Sequence, residues 1–125
     1  MKSGNFSIKD RINSFKYALN GLRMLIKNEH NARVHLIAAA MTIVACFYFS
    51  LNTMEVAFVV FSIGLVFITE LLNTAIEQIA NFVEPEKNKK IGEIKDYAAG
   101  AVFVAALVAL TISLIIFIPK IITTI

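Results

Sequence analysis

The chain has 125 residues, 58% of them apolar and 17% charged, with a net charge of +3 and one cysteine. Soluble domains usually carry about 45–50% apolar and about 25% charged residues, so the balance is that of a membrane protein. The small positive excess does not point to nucleic acid. Cys46, alone in an apolar run, excludes an intrachain disulfide and a cysteine metal site.

Length predicts a single domain over 1–125. The first element in chain order is an amphipathic helix at about 8–30. Ile8, Ile12, Phe15, Leu19, Leu22 and Ile26 recur at spacings of four and three, and Lys9, Asn13, Lys16, Asn20, Arg23 and Lys27 follow one residue later. An apolar stripe beside a basic one suits a helix lying in the bilayer interface. Three apolar spans follow, at about 34–51, 55–83 and 97–118, each near the roughly 20 residues that cross a bilayer. The first begins too late for a cleaved signal peptide and is expected to persist. The turn Leu51–Glu55 carries a capping candidate, Asn52 or Thr53. Pro85 is expected to end the second span and Pro119 the third. Residues 84–96, rich in Lys and Glu, form the only substantial loop expected. The fold class is therefore all-α integral membrane, with three transmembrane helices and one surface helix.

Seven of the twelve Lys and Arg residues lie at or before Arg33, four lie within 84–96, and one, Lys120, follows the third span. Positive residues favour the cytoplasmic side. The amino terminus and the 84–96 segment are thus expected inside, and the carboxy terminus outside.

The second span is not uniformly apolar. Glu70 and Glu77 are two helical turns apart and project from one face, shared with Asn73, Thr74 and Asn81. At 1.5 Å per residue Glu70 lies about 22 Å along a helix entering near Glu55, in the inner half of the hydrocarbon. A carboxylate there is costly and by default functional. No Lys or Arg stands near it in sequence as a partner. Glu29, Glu77, Lys95 and Asp96 are expected at the same inner membrane plane. Paired carboxylates with a lysine suit Mg²⁺ and phosphate, although no Walker-type GxxxxGK[ST] loop is present. A rival reading of the same acids is a small transporter or proton-relay subunit, whose sites usually lie nearer the midplane.

Glu70-Leu-Leu-Asn-Thr-Ala-Ile-Glu77 resembles the signature of the prokaryotic diacylglycerol kinase family, which includes undecaprenol kinases. Ser14-Phe15-x-x-Ala18-x-x-Gly21-Leu22, Glu29-x-Asn31-x-Arg33-x-His35 and Lys95-Asp96-x-Ala98-Ala99-Gly100-Ala101-Val102 resemble flanking parts of the same family. The resemblance implies a homotrimer in the bacterial inner membrane that transfers the ATP γ-phosphoryl group to a membrane lipid alcohol, undecaprenol or diacylglycerol. It implies Glu70 as general base and Asn73 as the residue orienting the reacting groups. Glu29 and Glu77 are implied as holders of Mg²⁺ with ATP. Lys95 and Asp96, and less specifically Tyr17, Glu86, Lys87 and Asn88, are implied as nucleotide contacts. Asn81 departs from the aspartate many members carry, which puts a metal or charge role there in doubt. The Glu29–His35 pattern leans toward the undecaprenol branch.

Overall fold

The computed structural model describes residues 4–125. Four helices follow one another: α1 Ile8–Asn28, α2 His30–Tyr48, α3 Thr53–Val83 and α4 Lys89–Thr124. The last three are long and apolar enough to cross a membrane.

Ser7 starts α1 by accepting the Asp10 amide at 3.3 Å. The helix ends at Glu29, whose extended backbone (φ −108°, ψ 115°) also opens α2. The elbow is held from the far side. The Arg33 guanidinium donates to Ile26 O at 2.8 Å and to Lys27 O, satisfying carbonyls that the end of α1 leaves without helical partners. Glu29 is therefore presented at a fixed bend rather than on a helix.

At the other end of α2, Ser50 takes a left-handed conformation (φ 51°) and the chain reverses. Of the two capping candidates, Asn52 is the cap. Its side chain accepts the Glu55 amide at 2.9 Å, and the Glu55 carboxylate accepts the Asn52 amide at 3.0 Å, a reciprocal capping box. Glu84 closes α3 ahead of Pro85, as the steric restriction on a residue before proline requires.

Two boundaries differ from expectation. The 84–96 segment is not all loop, because α4 begins at Lys89. Asn88 caps it, accepting the Lys90 and Ile91 amides at 2.9 and 3.3 Å, and only 84–88 connect the helices. Pro119 does not end α4, which runs on to Thr124. A proline costs the helix one donor, and such a break is tolerated where neighbouring elements hold the flanking turns. Here Lys120 reaches the Glu55 carboxylate at 3.2 Å and ties the last turns of α4 to the start of α3.

The core is thin and built from small residues. Ala98 and Ala105, seven apart on α4, are buried, as are Ala32 and Ala39, seven apart on α2. Small side chains let backbones approach closely, which is how helices associate without a hydrophobic drive from water. On α3 the buried positions run Val59, Ser62, Val66, Glu70, so the Glu70 carboxylate continues the face that packs. Most large apolar side chains point outward, among them Phe47, Phe61, Ile68, Phe103 and Ile115, as suits contact with lipid or with further copies of the chain. Cys46 is only half-buried.

Cysteines placed singly at Thr53 and at Lys89, the opposite ends of α3 and its connection, should label from opposite sides of the membrane in a Cys46→Ala background. Labelling of both from one side would overturn the three-span topology. Asn52→Ala should lower thermal stability in detergent by about 1 kcal/mol, the usual cost of losing a helix cap.

Candidate functional site

The polar residues of α3 open toward three different neighbours. Glu70 faces α2. Its side chain is 4% exposed, and its Oε1 lies 3.2 Å from His35 Nε2. The contact is a close approach rather than an aligned hydrogen bond, since Oε1 is buried without a hydrogen-bond partner among the described residues. Among the described residues His35 is its only ion-pair partner. Sequence reasoning looked for a lysine or arginine in the same span and missed this histidine. A depth count carries the signal. Glu29 to His35 spans about 9 Å and Glu70 to Glu77 about 10.5 Å on helices running in opposite directions. If Glu29 and Glu77 are level, His35 and Glu70 are level too.

Asn73 Nδ2 donates to Glu77 Oε1 at 3.0 Å, one turn along α3. That bond orients the half-buried Glu77 carboxylate and leaves Asn73 Oδ1 buried and unpaired. Asn73 lines a cavity with Tyr97, Ala98 and Ala101 of α4. Thr74 instead lines one with Asn28, Glu29 and Gln78 on the α1 side. Adjacent helical residues lie 100° apart, so the polar face expected from spacing is split between two crevices. Glu29, at the α1–α2 elbow, and Glu77, two turns along α3, are the carboxylates whose charge is felt at Glu70.

One turn beyond Glu77, Lys95 Nζ donates to Asn81 Oδ1 at 2.6 Å. The bond joins the end of α3 to the start of α4. Lys95 lines a small cavity of about 130 Å³ with Glu86, Lys87 and Asn88, so four of the expected nucleotide contacts gather at one rim. Asn88 also has a structural task there as the cap of α4. Asp96 is exposed at the same level. Tyr17 is not brought to the carboxylates within one chain: it is 74% exposed, twelve residues before Glu29 on α1, about 18 Å along the helix.

Among the described residues, no three His, Cys, Asp or Glu side chains form a ready cage for a metal ion. The carboxylates fit Mg²⁺ in another way. That ion keeps waters and substrate phosphates and needs only one or two protein carboxylates, which is what a fixed Glu77 and an elbow-mounted Glu29 offer. A buried Glu70 carboxylate, a Glu77 carboxylate oriented by Asn73 and a charged rim at the 84–88 connection thus follow one another along α3.

Comparison with known proteins agrees with the geometry. Residues 16–117 match the family model described as prokaryotic diacylglycerol kinase. The chain is 36% identical to the undecaprenol kinase of Bacillus subtilis over 107 residues, 86% of this chain and 87% of that one. It is 34% identical to the diacylglycerol kinase of Haemophilus influenzae over 94 residues, 75% of this chain and 80% of the relative. Identity to the diacylglycerol kinase of Escherichia coli is 30%, with 74% and 76% covered. With the match reaching from the middle of α1 nearly to Pro119, and with the acids of α3 inside it, the chain belongs to the prokaryotic diacylglycerol kinase family and is a membrane lipid kinase.

Proposed function

We propose that this chain phosphorylates undecaprenol at the cytoplasmic face of the bacterial inner membrane, with Mg-ATP as donor. It works as a single-domain homotrimer whose α1 lies in the interface and whose amino terminus is cytoplasmic. The observation that carries the reading is the placement of Glu70, buried on the packed face of α3 and followed two turns inward by a Glu77 carboxylate already held by Asn73.

Glu70 takes the proton from the lipid hydroxyl as its oxygen attacks the γ-phosphorus. Asn73 sets the Glu77 carboxylate and has a free buried Oδ1 for a second partner. Glu29 and Glu77 would hold Mg²⁺, which would offset charge on the transferring phosphoryl group. Lys95 and Asp96, with Glu86, Lys87, Asn88 and Tyr17, contact the nucleotide. Phosphoryl transfer asks mainly for positioning and charge stabilisation, and no covalent intermediate on the protein is needed. A trimer supplies what one chain lacks: cover for the outward apolar faces of α2 to α4, and an α1 from a neighbour that can bring Tyr17 to the site.

The choice of undecaprenol rests on the walls beside Glu70. A cavity of about 330 Å³ starts at His35 and is lined by Ala38, Ala39, Val66 and Ala106. It shares Ile63 with a second, of about 640 Å³, lined by Cys46, Phe47, Val59 and Val60. Of the four hydroxyl side chains lining the two cavities, Thr42, Ser62, Ser113 and Ser50, two are engaged: Thr42 donates to Ala38 O and Ser62 to Val59 O. The remaining walls are mostly apolar and suit an isoprenoid chain. The 36% identity to a protein named undecaprenol kinase points the same way.

Glu70→Gln should lower kcat by about 10²–10⁴-fold while Mg-ATP still binds. Glu77→Gln and Glu29→Gln should instead raise the KM for Mg-ATP. Near-normal turnover by Glu70→Gln would remove it as the base. With undecaprenol and diacylglycerol competing at equal mole fraction in mixed micelles, the first should have the higher kcat/KM. The reverse order would overturn the substrate assignment and leave the kinase in place.

A further inference from the structure

The two carboxylates read as holders of Mg²⁺ are kept in place in different ways. Glu77 accepts a hydrogen bond from Asn73 Nδ2 at 3.0 Å. Glu29 has no such support: among the described residues its side chain makes no capping hydrogen bond and no ion pair. Its direction is set by the backbone alone. That backbone is the extended residue between α1 and α2. A non-helical residue has two soft dihedrals, and a small change in either swings its side chain.

Arg33 removes that freedom. It stands one turn into α2, and its guanidinium reaches back across the bend to α1. Nε donates to Ile26 O at 2.8 Å, and a terminal nitrogen donates to Lys27 O. In an unbroken helix those carbonyls would accept the amides of His30 and Asn31. The bend takes both amides into the first turn of α2, and the guanidinium stands in for them. The Glu29 amide donates to Leu25 O at 2.9 Å, and Glu29 O accepts the Arg33 amide at 3.4 Å. Glu29 thus lies inside a closed ring of hydrogen bonds that runs from α1 through Arg33 to α2. Leu25 and Ala32, on either side of it, are buried. We propose that Arg33 is a positioning residue for metal and nucleotide binding: by clamping the elbow it aims the Glu29 carboxylate. The proposal rests on the reading of Glu29 as a holder of Mg²⁺.

The chemistry of the side chain suits this task. Guanidinium is a rigid fork whose donors can serve two carbonyls at once, whereas an ammonium is a point charge on a flexible stem. Its positive charge also complements the negative end of the α1 dipole. The clamp aims Glu29 at α3, where it lines a crevice with Thr74 and Gln78. Mg²⁺ demands near-ideal octahedral geometry, so a carboxylate that wanders loses affinity even while it stays close. Arg33 touches neither metal nor phosphate in this scheme. It acts through Glu29, as Asn73 acts through Glu77.

Arg33→Lys in the full chain keeps the charge and loses the fork. In mixed micelles with undecaprenol it should raise the KM for Mg-ATP about tenfold or more, the usual effect of removing a group that orients a metal ligand. Its kcat at saturating Mg-ATP should stay within about threefold of the unaltered chain, since the reacting groups are untouched. In the ligand-free protein, amide hydrogen exchange should quicken across 25–33 and not in α3. In a Glu29→Gln background, Arg33→Lys should add less than about twofold to the KM, because a residue that acts through Glu29 has nothing left to aim. A normal KM in Arg33→Lys, or unchanged protection across 25–33, would overturn the clamp. A full further rise on top of Glu29→Gln would make Arg33 a phosphate contact in its own right and overturn it too. Protection lost throughout α2 and α3, or a fall in kcat at unchanged KM, would reduce Arg33 to a support of the whole fold, with the same result. Arg33→Lys with a normal KM beside Glu29→Gln with a raised one sinks the positioning role alone. A normal KM in Glu29→Gln sinks the reading beneath it.

Discussion

A carboxylate held away from water inside an apolar helix sets the terms for the rest of this molecule. An ionised side chain at such depth costs at least a few kcal/mol. The cost is tolerable only where packing hides it and a polar partner is near. Both conditions are met at Glu70, which lies on the packed face of α3 and against His35 of α2. The antiparallel course of α2 and α3, the tight reversal at Ser50 and the bend at Glu29 are what bring that pair to one level. A helix that slipped by one residue would turn Glu70 by 100° and leave it facing hydrocarbon.

The two ends of the bundle are built differently. At the turn side, the Asn52–Glu55 capping box and the Glu55–Lys120 ion pair lock α3 to α4. At the other end, among the described residues, one side-chain hydrogen bond joins the same helices, Lys95 to Asn81, next to a short connection. The end proposed to receive nucleotide is thus the less constrained one. That division suits an enzyme which must admit a soluble ligand at one edge and keep water out at the other.

Much of this was legible in the sequence, for physical reasons that also explain what was not. Charge and hydropathy located the spans, because the bilayer imposes a length that no packing detail overrides. The seven-residue interval between Glu70 and Glu77 placed both on one side of α3, because helical geometry is fixed. The start of α4 lies earlier than hydropathy indicates, because Lys89–Asp96 are mostly polar and lack the apolar run that marks a span; Asn88 is the available sign. Pro119 was read as a stop, although its effect depends on Lys120 finding Glu55, a contact 65 residues distant in sequence. His35 as the partner of Glu70 needed two helices to be aligned in depth, which one span examined alone does not show.

Asn81 carries a further consequence. An amide holds the Lys95 ammonium in place by accepting one hydrogen bond, yet it contributes no countercharge. A carboxylate in its position would pair with Lys95 and largely cancel its field. With the amide, the four lysines of residues 84–96 (Lys87, Lys89, Lys90 and Lys95) balance the four acids among them (Glu84, Glu86, Glu93 and Asp96). An aspartate at position 81 would tip this neighbourhood to a net negative charge, felt by a polyanion over roughly the Debye length, about 8 Å at physiological ionic strength. Approach of a polyanion to this end is accordingly expected to depend less on salt than it would in an Asn81→Asp variant, where added salt would relieve a repulsion that the amide avoids.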